Sequence, residues 1–206
     1  MTEEEARTCV AELVTPAALL RIERFVALVQ EESARQNLVA KPTLDTIWLR
    51  HILDSAQLLP LAADAVDGPW IDIGTGAGFP GMIAALATER ETLLVEPRRM
   101  RAAFLQHACE ILGATQTAVI QARIERLEPR FAAIISARAV GFAPQILDGT
   151  THLRTRETLY LLPKGQSATT ECVAAQHAFS GLFHVEQSLT DPASGIIVAR
   201  NVRAKR

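Results

Sequence analysis

Cysteine is scarce in this chain, and the scarcity narrows the possible chemistry. Cys9, Cys109 and Cys172 stand far apart, and no CxxC pair or Cys/His cluster accompanies them. An odd, scattered set of cysteines predicts neither a disulfide framework nor a metal site. We therefore expect reduced thiols, no bound metal and a cytoplasmic location.

Long apolar runs are also missing. No stretch approaches the roughly 20 residues that a membrane-spanning helix needs. The first five residues, Met-Thr-Glu-Glu-Glu, are acidic, which is the wrong sign for a secretory signal. We therefore expect no membrane contact. With 206 residues, 49% of them hydrophobic, the chain is long enough to bury a full core.

Neither sign of charge dominates, because 21 Lys and Arg face 23 Asp and Glu, giving a net charge of −2. The whole surface is therefore no strong polyanion binder, and any nucleic-acid contact must come from local patches. One candidate is the C-terminus, where four cations gather: Arg200, Arg203, Lys205 and Arg206. A frayed, solvated end is the equal alternative.

The segment around which the chain is organised reads as a strand, a glycine-rich turn and a helix start. Trp70–Ile73 supplies apolar, β-favouring residues, and Gly74, Gly76 and Gly78 follow at alternate positions. A turn without Cβ atoms lets a ligand lie close to the backbone. Pro80 suits the first position of the next helix. Open α/β sheets bind nucleotides at such a turn.

The spacing of the glycines distinguishes between ligands. Dinucleotide binders favour G-x-G-x-x-G, but here the third glycine comes one residue early and Phe79 takes the sixth position. Asp72 stands two residues before the first glycine. The resulting Asp-x-Gly-x-Gly-x-Gly pattern resembles the first motif of S-adenosylmethionine (AdoMet) methyltransferases. No Walker sequence follows the turn.

Two parts of the chain differ in their patterning. Residues 1–64 predict a helical segment, with a helix capped by Thr15 and a third helix capped by Thr43 or Asp45. Residues 65–206 alternate strand and helix patterns, which predicts parallel βαβ units. Two later strand candidates, near Phe183 and Gly195, predict an antiparallel edge. We therefore expect an α/β, Rossmann-like AdoMet-binding domain behind an N-terminal helical segment, with a mostly parallel seven-stranded sheet.

Acidic residues at the strand ends are candidates for cofactor contacts. Glu96 ends the second strand, where an acid accepts hydrogen bonds from both ribose hydroxyls; an exposed charge near Arg98 is the alternative. Asp72 is predicted to orient the glycine-rich turn by capping its backbone N–H groups and to reach the cofactor ammonium, directly or through water; the two roles are compatible. Ile124 and Glu125 follow the third strand, where such folds place the adenine; a surface helix start is the alternative.

Three basic or imidazole side chains are candidates on the substrate side. Arg138 follows a buried apolar strand and needs an acceptor. It can hold the methionine carboxylate or steer the substrate, or else pair with Asp72 or Glu125. Lys164 ends the fifth strand and can meet RNA, or be a turn residue. His51 lies three residues before Asp54, which can bond its ring on a helix.

Seven segments, in order from residue 37 to residue 166, together resemble the RsmG (GidB) family. They are Asn37-Leu38, Arg50–Ser55, Asp72–Gly81, Phe104-Leu105, Arg123–Glu125, Ser136–Ala139 and Leu162–Gly165. The most specific are Arg-His-Ile-Leu-Asp-Ser at 50–55 and Gly-Ala-Gly-Phe-Pro-Gly at 76–81. The usual Asp-Ser at the second strand end is Glu-Pro here, and the C-terminal strands match weakly.

The resemblance implies a bacterial enzyme that uses AdoMet to methylate N7 of one guanine in 16S ribosomal RNA, with loss of activity linked to streptomycin resistance. It implies cofactor contacts at Gly74, Phe79, Ile124, Glu125 and Arg138, and favours His51 and Lys164 as substrate-side residues. The implied partners are 16S rRNA or the small ribosomal subunit, and we expect a monomer.

Guanine N7 carries a lone pair and no proton, so we name no catalytic base. The enzyme's task would be alignment and water exclusion. Two alternatives stay open. A nicotinamide-dependent oxidoreductase shares the fold class, although the third glycine is misplaced for it. A non-catalytic RNA-binding assembly factor would not need the loop at Asp72–Gly81 together with Glu96.

Overall fold

Seven strands form one sheet, in the order β3-β2-β1-β4-β5-β7-β6, in the computed structural model, which describes residues 1–205. Strands β1 to β5 run parallel, and β7 lies antiparallel between β5 and β6. The predicted, mostly parallel seven-stranded sheet with an antiparallel edge is confirmed. The strands are β1 Trp70–Ile73, β2 Thr92–Val95, β3 Thr117–Ile120, β4 Ile134–Ala137, β5 Leu159–Lys164, β6 Phe179–Gln187 and β7 Gly195–Ala204.

The helices cover both faces of the sheet. They are α1 Glu3–Leu13, α2 Pro16–Ser33, α3 Asp54–Ala56, α4 Leu58–Leu61, α5 Gly81–Ala87, α6 Arg99–Leu112, α7 Ala143–Gly149 and α8 Ala168–Ala178. Helix α2 begins as predicted, because the Thr15 hydroxyl accepts a hydrogen bond from the Ala18 amide. Helix α5 begins at Gly81, one residue after the position predicted from Pro80. Helix α8 was not predicted, because its buried face is made of small residues that leave a weak apolar stripe.

The third helical stretch differs from its prediction. Neither Thr43 nor Asp45 caps it, because Thr43 ends a separate 3₁₀ turn. The carboxylate of Glu3 accepts hydrogen bonds from the amides of Trp48 and Leu49, both at 2.9 Å. A residue 45 positions earlier therefore caps this stretch, which local sequence does not reveal. Trp48–Leu53 then forms a π-helical turn before α3.

The N-terminal helices share a core with one face of the sheet domain. Phe25 of α2 is fully buried, and its ring centroid lies 5.6 Å from that of Phe79 and 6.3 Å from that of Phe104 in α6. Fully burying one such ring favours the folded state by about 1.5–3 kcal/mol. The N-terminal segment is therefore held on the sheet domain at the height of the glycine-rich turn. The division at residue 64 into two domains stays a prediction.

The chain order reverses between β1 and β4, so the carboxyl ends of the parallel strands open a crevice there. The basic C-terminus lies at the other end of the strands.

Gly195, the first residue of β7, pairs with Lys164 at the carboxyl end of β5. Because β7 is antiparallel to β5, it runs from there toward the amino ends of the parallel strands. Arg200 and Arg203 belong to β7, so a frayed end is wrong for them, and Arg206 lies outside the described residues. Within residues 1–205, no helix combines the length and apolar character that crossing a membrane requires.

Candidate active site

The turn after β1 is shaped by glycines in left-handed conformations. Gly74 and Gly76 both have φ of +62°, which strains any residue with a side chain. A Cβ on Gly74 would lie 2.8 Å from Val140, whereas a Cβ on Gly76 would meet only ordinary contacts. Space for a ligand against the backbone is therefore open at Gly76, and Val140 covers Gly74.

At Gly78 the structure differs from the prediction that the bare backbone leaves room for a ligand. Its missing Cβ makes room for protein rather than for a ligand, because a Cβ there would lie 2.8 Å from Phe25. Phe79 is similarly covered: it is 3% exposed, and its ring stacks on His51 with centroids 5.1 Å apart. Both residues join the turn to the N-terminal segment. We expect any cofactor contact of Phe79 to come from its backbone.

Asp72 lies beneath the turn with no exposed surface. One carboxylate oxygen accepts a hydrogen bond from the Ser136 hydroxyl at 2.6 Å, and the other accepts one from the Gly81 amide at 2.9 Å. Burial raises the pKa of Asp72 to about 6, partly offset by these hydrogen bonds. Of the two roles predicted for Asp72, these contacts show the holding of the loop, and a contact with the cofactor ammonium stays a prediction.

Glu96 follows β2 and also holds backbone. Its two oxygens accept hydrogen bonds from the amides of Gly76 at 2.9 Å and Arg98 at 2.8 Å. It is 3% exposed, so the alternative of a solvent-exposed strand-end charge is wrong. A carboxylate oxygen has two lone pairs, so each can accept a further bond from a hydroxyl. Glu96 thus stands beside the open Gly76 backbone with acceptor capacity to spare.

Ile124 and Glu125 lie in a 3₁₀ turn, Ile124–Arg126, after β3. Ile124 is half-buried and packs against the core that contains Ile73, whereas Glu125 is exposed. The amide of Glu96 donates to Ile120 at 3.1 Å, which joins the ends of β2 and β3. An apolar side chain therefore lies near the acid, on the side away from Arg138.

Arg138 follows β4, and the N-terminal segment holds it. Its Nη1 donates to Asp54 Oδ2 at 2.9 Å and to the Arg50 carbonyl at 3.1 Å, and its Nη2 donates to His51 Nδ1 at 2.9 Å. The predicted alternative partners, Asp72 and Glu125, are wrong, because the ion pair is made with Asp54. Within residues 1–205, Nε and one N–H of Nη2 have no partner. They form a planar fork suited to a carboxylate.

His51 lies in the π-helical turn and is neutral. Arginine only donates, so His51 Nδ1 accepts and its proton is on Nε2, which donates to Thr43 Oγ1 at 2.8 Å. Burial, followed by the charges of Arg138 and Arg50, lowers the pKa of His51 to about 3. The predicted bond from Asp54 to the ring is wrong, since a π turn shifts the i, i+3 alignment.

Lys164 is enclosed rather than free. Its ammonium lies 2.8 Å from Glu171 Oε2 of α8, its side chain is 7% exposed, and it also donates to the carbonyl of Gly141. Glu171 accepts a hydrogen bond from the Ala143 amide at 2.7 Å. Lys164 and Glu171 therefore fix the loop after β4. The alternative of a simple turn residue is therefore wrong, and a contact between Lys164 and RNA stays a prediction.

A cleft of about 470 Å³ opens beside Arg138. Its walls come from the N-terminal segment, the loop after β4, the end of β5 and the loop between β6 and β7. They include Arg50, His51, Asp54, Arg138, Lys164, Thr190 and Asp191. The cleft carries both signs of charge. Its lining does not include residues 74–78, but Arg138 follows Ala137, which pairs with Ile73 just before the glycine-rich turn.

A family model described as rRNA small subunit methyltransferase G (GidB) matches residues 19–195. The chain belongs to the GidB family. The ribosomal RNA small subunit methyltransferase G of Novosphingobium aromaticivorans is 44% identical over 210 residues, covering 100% of this chain and 91% of that protein. The protein of the same name from Erythrobacter litoralis is 44% identical, covering 99% of this chain and 98% of its own length.

Solved structures show the same fold as this GidB-family chain. A mutant of MtNAS in complex with S-adenosylmethionine has a TM-score of 0.60 at 14% identity, covering 98% of this chain and 85% of that chain. A SAM-dependent methyltransferase from Aquifex aeolicus has a TM-score of 0.60 at 11% identity, covering 76% of this chain and 93% of that chain. The predicted Rossmann-like class is confirmed.

The residues of this GidB-family site fit AdoMet. The open backbone at Gly76, the acceptor oxygens of Glu96 and the spare fork of Arg138 match a sulfonium compound that carries a ribose and a carboxylate.

Sequence reasoning missed Thr43, Glu171 and Thr190 as site residues, because no local pattern marks them. It named Asp54 but gave it the wrong partner; the Arg-His-Ile-Leu-Asp-Ser motif was the available signal.

Proposed function

We propose that this chain is an AdoMet-dependent methyltransferase that methylates N7 of a guanine in 16S ribosomal RNA, acting in the cytoplasm on the rRNA or the small subunit. One observation carries the cofactor part. The fork of Arg138, with two N–H donors left over, follows β4, whose last residue, Ala137, pairs with Ile73 just before the glycine-rich turn. The names of the relatives support the acceptor, because they act on small-subunit rRNA.

The cofactor roles follow from the free groups of each residue. Arg138 binds the methionine carboxylate through Nε and Nη2. Glu96 accepts the ribose hydroxyls while keeping the amide of Gly76 in place. Ile124 packs on the adenine, and backbone near Glu125 reads its edge. Gly74 and Gly78 shape the turn, and Asp72 holds it from below.

The substrate side has one exposed cation and two enclosed groups. Arg50 has a half-exposed side chain at the mouth of the cleft and is the residue placed to meet an RNA phosphate. His51, neutral and bonded at both nitrogens, supports Arg138 and Phe79. Lys164 supports the loop after β4. We therefore assign to His51 and Lys164 the role of shaping the cleft that would receive the guanine, rather than that of attracting RNA by their charge.

The chemistry needs no base, and both ring nitrogens of His51 are already engaged in hydrogen bonds to Arg138 and Thr43. Guanine N7 has a free lone pair, so no proton has to leave when the methyl group is accepted. AdoMet, when bound, supplies a methyl group on a good leaving group. The residues described here bind the cofactor, hold N7 in line and exclude water. N7 lies in the deep major groove of A-form RNA, so the target guanine must be unpaired or reached during assembly.

Calorimetric titration tests the cofactor class. We expect AdoMet to bind and NADH not to bind, because the chain lacks the third glycine at the dinucleotide spacing. NADH binding without AdoMet binding would favour the oxidoreductase. Absence of binding by either would favour the non-catalytic RNA-binding factor.

A further inference from the structure

Asp54 makes more contacts than an ion pair with Arg138 requires. Its Oδ2 accepts from Arg138 Nη1 at 2.9 Å. Its Oδ1 accepts from Gln57 Nε2 at 2.9 Å and from the Thr190 hydroxyl at 3.1 Å. The side chains of Asp54 and Arg138 are 19% and 18% exposed. The carboxylate is therefore fixed from three directions.

Gln57 anchors this contact to the loop between β6 and β7. It is 3% exposed, and its Oε1 accepts from the Leu189 amide at 2.8 Å. Its amide nitrogen also donates to the carbonyl of Asp54 at 3.1 Å. The N-terminal segment and residues 188–190 thus form one hydrogen-bonded unit, and Asp54 lies at its centre.

This unit determines which N–H groups of Arg138 remain available. Both hydrogens of Nη1 are used, by Asp54 and by the Arg50 carbonyl, and one of Nη2 is used by His51. The hydrogens left over are the one on Nε and one on Nη2. An unrestrained arginine would lose rotamer freedom when it bound a carboxylate, whereas a fixed fork has already lost it.

We propose that Asp54 is a positioning residue, which orients the Nε–Nη2 edge of Arg138 toward the carboxylate of the bound cofactor and depends on Thr190 for its own orientation. This inference rests on the proposed function. Asp54 itself does not touch the cofactor. Its effect should therefore appear only with ligands that carry a carboxylate.

Two ligands separate this role from a structural one. S-adenosylhomocysteine carries the amino-acid carboxylate, and 5′-methylthioadenosine has the same adenine, ribose and sulfur without it. In calorimetric titrations, we expect Asp54→Asn to weaken S-adenosylhomocysteine binding about tenfold, as loss of one charge-assisted bond would. Binding of 5′-methylthioadenosine should change less than about twofold. The matched control is Asp64→Asn, at an exposed position outside the site, which should change neither affinity.

A second variant and a double mutant keep the inference testable if Asp54→Asn folds poorly. Thr190→Val removes one bond to Asp54 and should weaken only S-adenosylhomocysteine, by about threefold. In an Arg138→Ala background, Asp54→Asn should cause no further selective loss, because the residue acts through Arg138. A selective loss that persists in this background would overturn the inference.

The outcomes distinguish failure of the proposed cofactor site from failure of the positioning role of Asp54. Equal binding of both ligands by the unmodified protein would contradict the carboxylate role of Arg138, and with it the proposed cofactor site. A preference for S-adenosylhomocysteine that is undiminished in Asp54→Asn and Thr190→Val would overturn the positioning role alone. Equal weakening of both ligands would assign Asp54 to structure and overturn it as well.

Discussion

At the scale of single residues, Gly81 is the position near the turn with the least room for a side chain. A Cβ on Gly81 would lie 2.4 Å from Leu94 and 2.7 Å from Asp72 Oδ2. We expect Gly81→Ala to lower the free energy of unfolding by about 1–3 kcal/mol, because the core would be overpacked. Urea denaturation measures this. Gly149→Ala, where a Cβ meets open space, is the control and should be neutral or stabilising.

Arg138 is the residue on which the cofactor account most depends. Arg138→Ala should weaken AdoMet binding about 10- to 100-fold, since it removes a charge-assisted fork. Arg138→Lys should also bind weakly, because an ammonium cannot form the fork. Arg156 precedes the amino end of β5 and so lies at the end of the sheet opposite the candidate site. The control variant Arg156→Ala should therefore bind AdoMet normally. Unchanged affinity in both Arg138 variants would mean that the ion pair with Asp54 is purely structural.

His51 gives stability a pH dependence of known sign. Its folded pKa, about 3, lies below the ordinary 6.5, so the unfolded chain binds more protons between these values. His51 therefore lowers stability as pH falls below about 6.5, by at most about 1.4 kcal/mol per pH unit. Asp72, with its pKa raised to about 6, acts in the opposite direction as pH falls from about 6 to 4.

Substituting the histidine separates the two effects. Urea denaturation at pH 7.5 and pH 5.5 should show a smaller acid loss, or a gain, in His51→Gln than in the unmodified protein. Asp72 is common to both proteins, so the difference reports His51. An identical pH dependence in the two proteins would contradict a neutral, buried imidazole.

The sequence allowed prediction of which residues matter more readily than of what they contact. Arg138, His51 and Glu96 follow from strand ends and motifs, and all three line the crevice or the turn. Their partners do not follow. Arg138 pairs with a residue 84 positions earlier, and Lys164 pairs with a helix that its weak pattern concealed. Such pairings depend on how the N-terminal segment packs on the sheet, which periodicity does not specify.

At the scale of elements, the stretch that carries His51 and Asp54 begins under a cap from α1. Removal of the Glu3 carboxylate should leave the amides of Trp48 and Leu49 without acceptors. We expect Glu3→Ala to cost about 0.5–2 kcal/mol of unfolding free energy. Glu4→Ala is the matched control, because that side chain is 82% exposed on the same helix turn. Equal stability of the two variants would argue against the cap.

The strands β1, β2, β4 and β5 were predictable as elements because each contains a short apolar run between turn signals. β1 spans the predicted Trp70–Ile73, β2 ends one residue before Glu96, and β5 ends at Lys164 as predicted. The π-helical turn was not predictable, since it arises where Glu3, the core and Arg138 all constrain one short stretch. Elements defined by their own residues can be predicted from local sequence, and those defined by neighbours cannot.

At the scale of the whole molecule, the candidate site and the basic C-terminal strand lie at opposite edges of the sheet. RNA bound over the cleft would then meet Arg50 and not Arg203 or Lys205. Arg50→Gln should flatten the salt dependence of RNA affinity by one phosphate contact, a slope change of about 0.7–0.9. Arg203→Gln with Lys205→Gln should leave the slope unchanged. The reverse result would place the RNA on the other edge.

The proposed reaction, at the carboxyl ends of the parallel strands, is the transfer of a methyl group from AdoMet to N7 of a guanine. Its most direct test is transfer of labelled methyl from AdoMet to naked 16S rRNA and to small subunits that lack the modification, followed by mapping of the labelled base. We expect a label at one guanine N7 in one of these substrates, and much less label with Arg138→Ala at the same AdoMet concentration. Label at another atom or base, or none despite bound AdoMet, would contradict it.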